Sequence, residues 1–149
     1  MGHHIRYIID DEKDLTFDDI HSGLRGIDSG FDFTEWDREC EWAELRHGGE
    51  LYGEMEIIRL DPEELDGEIA DLIEEVEYEC VGDKVEVINL LKNAKLMLVV
   101  RIIWKGSDAG DTLNTIAPLW GWLFENYHGL LQADGEGFYD GGYQILKPV

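Results

Sequence analysis

The sequence predicts an α+β domain built on an antiparallel sheet. Stretches of period-two alternation and stretches of helical spacing are interleaved along the chain. A glycine pair, Gly48-Gly49, separates two strand-like stretches as a tight hairpin requires. One nearly continuous apolar run, Leu96 to Trp104, leaves no wet face and reads as a central strand buried on both sides.

His4 to Ile9 opens the chain as a strand, with Ile5, Tyr7, Ile8 and Ile9 as β-formers. Thr16 followed by Asp19 makes a capping-box-like helix start. Phe17, Ile20, Leu24 and Ile27 then recur at helical spacing. Gly23 and Gly26 each weaken that helix by about 1 kcal/mol relative to alanine, so it should be short and end near Asp28-Ser29-Gly30. Phe31 to Leu45 reads as an irregular strand. Trp36, Cys40 and Trp42 share one parity and Leu45 has the other, which requires a bulge or a boundary nearby. Leu51 to Leu60 returns from the hairpin, with Leu51, Met55 and Ile57 on one side and Tyr52, Glu54, Glu56 and Ile58 on the other.

Asp61-Pro62-Glu63-Glu64 combines a cap, a first-turn proline and acids that complement the helix dipole. Leu65, Ile69, Leu72, Ile73 and Val76 form the stripe of that helix, and Gly82-Asp83 breaks it. A second helix follows, with Asp83 as cap, Glu86 closing the box, and Val87, Ile88, Leu91 and Ala94 inward. Beyond the central strand, Gly106 to Asp111 reads as a loop. Leu113, Ile116, Ala117, Trp120, Leu123, Phe124 and Tyr127 then hold helical spacing, and Pro118 either kinks this helix or marks a start near Thr115. Gly129 suits a C-terminal cap. Leu130 to Ala133 and Phe138 to Leu146 finish the chain as strands, with a turn at Asp140-Gly141-Gly142. Up to Trp104 this order is compatible with a split β-α-β, ferredoxin-like sheet with helices on one face. The last third adds a helix and a β-hairpin to its edge. The 149 residues fit a single domain, 1–149.

Charge bounds the partners. The chain holds 34 acidic and 12 basic residues, a formal net charge of −22. Such a surface repels nucleic-acid phosphates and anionic lipid heads, and it suits a basic partner or a saline interior. Self-repulsion of this size predicts a melting temperature that rises with added salt up to about 1 M, where screening is short-ranged. Cys40 and Cys80 do not resemble a disulfide framework and read as reduced, semi-buried thiols. The N-terminus lacks the long apolar region of a signal peptide, and no apolar run reaches membrane-spanning length, so a cytoplasmic location is expected.

No catalytic constellation stands out. Ser22, Ser29 and Ser107 lack a nucleophile frame, and Cys40 lies between Glu39 and Glu41, which blunts a thiol. The stretch Gln132 to Gly142 sets Asp134, Glu136 and Asp140 among glycines. These carboxylates could hold a hard cation, but their spacing is not that of an EF-hand, and turn formation explains the same residues. No cofactor or metal is therefore expected. His47 sits at a hairpin tip, a common place for a functional side chain. Trp36 and Trp42, with Cys40 between them, could form an aromatic docking face rimmed by acids. Trp120 fits the stripe of its helix and reads as core, whereas Trp122 lies about 200° away around the helix and should face elsewhere. The function expected is a non-catalytic interaction module, an acidic inhibitor or immunity-type protein engaging a basic partner. The alternative is a small enzyme or metal-binding domain using the Asp134/Glu136/Asp140 loop. A housekeeping domain adapted to salt would carry the same charge.

Overall fold

The computed structural model describes residues 3–33, 36–37, 39–60, 67–104 and 109–148. The elements are β1 (His3–Ile9), α1 (Phe17–Ile27), β2 (Phe31–Asp32), β3 (Trp36–Asp37), β4 (Trp42–His47), β5 (Glu50–Arg59) and α2 (Gly67–Glu79). They continue with β6 (Cys80–Gly82), α3 (Lys84–Lys92), β7 (Leu96–Ile102), α4 (Ala109–Asn126), β8 (Gly129–Ala133), β9 (Gly137–Asp140) and β10 (Tyr143–Pro148). All strands join one sheet in the order β2-β4-β5-β7-β1-β8-β9-β10-β6, with β3 also paired to β4. β7 is interior, hydrogen-bonded to β5 on one side and β1 on the other, as its apolar run requires.

The ferredoxin-like order is not the one formed. A split β-α-β unit leaves one strand between its two parallel strands, but β7, β5 and β4 all lie between β1 and β2. The split unit forms near the other end of the chain instead. β7 and β8 both run antiparallel to β1 and flank it, with α4 as their crossover. The most apolar strand has taken the centre beside β1.

Helices also cover both faces, not one. Ile5, Tyr7 and Ile9 of β1 and Leu96, Leu98 and Val100 of β7 pack with Phe17, Ile20 and Leu24 of α1 and Ile116, Leu119 and Leu123 of α4. Ile8 and Met97, of the opposite parity, pack with Ile69, Leu72 and Val76 of α2 and Val87, Leu90 and Leu91 of α3. Two strands that bury both parities need cover on both sides. The result is a three-layer sandwich.

Local chemistry explains most element ends. The Thr16 hydroxyl accepts from the Asp19 N–H at 3.2 Å and donates to the Asp19 carboxylate at 2.9 Å, closing the start of α1. Gly48 and Gly49 both have positive φ, +59° and +82°, as a two-residue hairpin turn needs. The irregular strand is divided into β2, β3 and β4, and a turn through Glu41, whose φ is +51°, separates β3 from β4. The parity break shows as a register shift between Leu45 and Arg46. Asp83 precedes α3 but makes no side-chain cap bond, so the box with Glu86 is not formed.

The helix start at Asp61 to Leu65 lies outside the described residues. The short strand β6, which pairs with β10, was not expected. α4 begins at Ala109, inside the expected loop, and continues through Pro118. Gly129 opens β8 and is no cap, since a Cβ there would lie 2.2 Å from the Ile8 carbonyl oxygen. Cys80 is buried and Cys40 is exposed, and both thiols are free. No described helix is long and apolar enough to cross a membrane.

Candidate functional site

α4 carries more apolar residues than one face can hold. Ile116, Leu119 and Leu123 point into the core and are fully buried. A second row, Leu113, Ala117, Trp120 and Phe124, runs alongside at the same helical spacing; Leu113, Trp120 and Phe124 only partly reach the core and Ala117 is exposed. This row forms one wall of an apolar groove of about 490 Å³, whose other walls are Ile5 of β1, Leu131 and Ala133 of β8, and Tyr139 of β9. The size and lining are those of a ligand pocket. Phe124 is held by an edge-on contact to Tyr7, with ring centroids 5.0 Å apart. Tyr7 is locked in turn by its hydroxyl donating to the Tyr127 carbonyl at 2.9 Å.

Polar groups sit at the rim. Glu136, in the turn between β8 and β9, is exposed, and among the described residues no lysine, arginine or histidine lines the groove. Gln144 Nε2 donates to the Glu136 backbone carbonyl at 2.5 Å and ties this turn to β10. Burial pushes the Tyr139 hydroxyl above its ordinary range, and the Glu136 charge adds to that shift. Tyr139 therefore stays a protonated donor at neutral pH. Gly137, at φ +99°, is needed for packing, because a Cβ would lie 2.2 Å from the Leu146 carbonyl oxygen.

The three loop carboxylates do not converge. Asp134 accepts from Arg6 Nη1 at 2.7 Å and from the His4 N–H at 3.2 Å. Arg6 also donates to Glu68 at 2.5 Å and to the buried Gln132 carbonyl at 2.7 Å. Burial raises the Asp134 carboxyl, but the Arg6 hydrogen bond and charge outweigh it and hold the group below the usual carboxylate range. Asp140 lines a separate polar recess with His128 and Glu125. Only Glu136 reaches the groove. Among the described residues no three His, Cys, Asp or Glu side chains are placed to hold a metal ion.

The other predicted residues separate as well. Trp36 pairs with Ala43 and faces the α1 side, ringed by His21 and Phe33. Trp42 pairs with Asp37 and so points to the opposite face. The turn at Glu41 breaks the alternation that would have joined the two tryptophans. His47 is no free turn residue: its Nε2 lies 2.9 Å from Asp28 Oδ2 and its ring packs on Phe31 at 4.8 Å. Trp122 lies over Gly23 of α1, where a Cβ would come within 2.2 Å of the indole nitrogen. Trp122 is therefore the packing residue and Trp120 the groove residue, the reverse of the expectation. The Cys40 thiol is raised, chiefly by the charge of Asp37 and the hydrogen bond to it. The sequence alone does not mark Trp120, Phe124 and Tyr139 as site residues. The readable signal was the width of the α4 apolar stripe, which exceeds what one buried face accepts.

Comparison with known proteins yields no match: no family model, no curated protein and no solved structure is significantly similar to the chain.

Proposed function

We propose that this protein is a non-catalytic binding module that engages a basic protein partner, with the groove between α4 and β8–β9 as its anchoring surface. The observation that carries the reading is an apolar, aromatic-lined groove in whose lining, among the described residues, Glu136 is the one carboxylate and no cation accompanies it, on a chain of net charge −22. Aromatic anchors in a desolvated pocket supply affinity, and the surrounding acids steer a cationic partner and reject anionic ones. The same charge disfavours nucleic acid and anionic membranes. Two free thiols suit the reducing cytoplasm, where we place the module. The metal-loop alternative gains no support from Asp134, Glu136 and Asp140, which serve three different surroundings.

The test is affinity capture from the native host with the intact protein and with Trp120→Ala. Basic proteins should be retained at about 0.05 M sodium chloride and released by about 0.5 M, as screening shortens. Trp120→Ala should lose them at low salt while keeping the native melting temperature within a few degrees. Capture that shows no basic enrichment, or that ignores the tryptophan, overturns the reading.

A further inference from the structure

We propose that the α4 groove is a socket for one bulky apolar side chain of a lysine- or arginine-rich protein segment, seated against Gly121 and Gly142 with a neighbouring cation on Glu136. This rests on the binding-module reading above. The glycines carry it. Gly121 stands in the interior of α4, where glycine is a poorer helix former than alanine. Elsewhere in the fold, glycines of ordinary φ at interior positions have a packing reason. A Cβ at Gly23 would strike Trp122, and one at Gly129 would strike the Ile8 carbonyl. At Gly121 a Cβ meets nothing within 4 Å. Gly142 is equally open, and the left-handed position of its turn is Gly141, at φ +61°. Gly26 and Gly67 are open too, but they stand in end turns of their helices, away from any groove lining.

Neither Gly121 nor Gly142 is demanded by the protein's own backbone or packing, yet both line the groove. Side chains there would project into its open volume. The lining then selects the occupant. Leu113, Trp120, Phe124 and Tyr139 present apolar and aromatic surface, which suits a large hydrophobic anchor and a cation over a ring face. Among the described residues Glu136 is the one carboxylate of the lining, and a charge of −22 repels an anionic segment and attracts a cationic one.

The probes are a blocked tetrapeptide with a leucine-phenylalanine core flanked by lysines, and the same core flanked by glutamates. Binding is read on the full chain from backbone amide NMR shifts. The lysine peptide should move the amides of Gly121, Tyr139 and Gly142, and the glutamate peptide should not. Gly121→Leu should weaken the lysine peptide by about tenfold or more, as overfilling a pocket does. Gly121→Ala should weaken it less and raise the melting temperature, which separates lost binding from lost folding. Glu136→Gln should shrink the preference for the lysine peptide. Shifts confined to the acidic face of α2, around Asp71, Glu74 and Glu79, would overturn the socket. So would an absence of binding, or affinity unchanged in Gly121→Leu. If Trp120→Ala abolishes capture of basic proteins while Gly121→Leu does not, the module reading stands and the socket fails. If neither variant matters, both fail.

Discussion

The two faces of the central strands are built on different principles. Toward α1 and α4, β1 presents Ile5, Tyr7 and Ile9, and β7 presents only aliphatic residues, so that face is dry except where the groove opens beside α4. Toward α2 and α3, β1 presents Ile8, but also Arg6 and His4. There the apolar packing gives way to an arginine whose side chain is only 15% exposed, held by Glu68, Gln132 and Asp134. Neither strand places an acid, a lysine or an arginine on the first face. The other has already arranged partners for an arginine, and the contrast can be tested position by position.

The largest effect should come from placing a charge on the dry face. Leu98 is fully buried opposite Tyr7 and Ile57. Leu98→Asp should cost more than about 4 kcal/mol, enough to leave the chain unfolded or nearly so in a urea melt read by circular dichroism. Val99, the next residue, is half-buried and lies opposite Arg6. The apolar run alone would make Val99→Asp as damaging. The register instead places the new carboxylate between the Arg6 guanidinium on β1 and the exposed Glu56 on β5, and with the cation on one side and a solvated acid on the other we expect a folded protein that loses about 1–2 kcal/mol. Equal losses at the two positions would erase the distinction between the faces.

Next comes the arginine itself. Arg6→Met removes the guanidinium that Glu68, Asp134 and the buried Gln132 share, and should cost about 3 kcal/mol in the same melt. It should also change the acid limb of stability. The folded-state Asp134 carboxyl sits below its ordinary value, so it contributes stability above the unfolded pKa, about 3.9. That contribution is lost as pH falls through the folded pKa. Melts from about pH 5 down to pH 2 should be steeper in the natural protein than in Arg6→Met.

A matched pair of glycine substitutions on the α1–α4 side follows. Gly23→Ala forces the Trp122 indole away and should cost about 1–2 kcal/mol despite the better helix former. Gly121→Ala meets open space and should stabilise by up to about 1 kcal/mol. Opposite signs in thermal melts would mark Gly23 as a packing residue and Gly121 as one that the fold itself does not require.

The smallest effect lies outside both cores. His128 Nδ1 sits 2.5 Å from Asp10 Oδ1, and that hydrogen bond raises the imidazole above its ordinary value. The pair contributes fully below the unfolded pKa of about 6.5, and the contribution fades as pH rises through the folded value. His128 is largely exposed, so solvent screening keeps the contribution below about 0.5 kcal/mol. His128→Gln should flatten stability between about pH 6 and 8 by no more than that.

Elements whose cause is local are legible along the chain. Thr16 caps α1 through its own turn, Gly48-Gly49 makes the hairpin through its own backbone, and the nearly continuous apolar run from Leu96 makes an interior strand, which ends at Ile102 short of the expected Trp104 and carries Arg101 paired with Glu54. The parity break near Leu45 was legible too, and it appears as a register shift. Tertiary structure alone decided strand order, the side on which each helix packs, and the site. In sequence Trp120 reads as core and Trp122 as facing elsewhere, and only the placement of α1, with Gly23 under Trp122, makes Trp122 a packing residue and leaves Trp120 to line a groove. Arg6, Gln132 and Asp134 likewise meet across paired strands distant in the chain. Local periodicity states that a face must be covered. Which segment covers it, and where the cover stops short and leaves a groove, depends on packing between elements that no window of sequence contains.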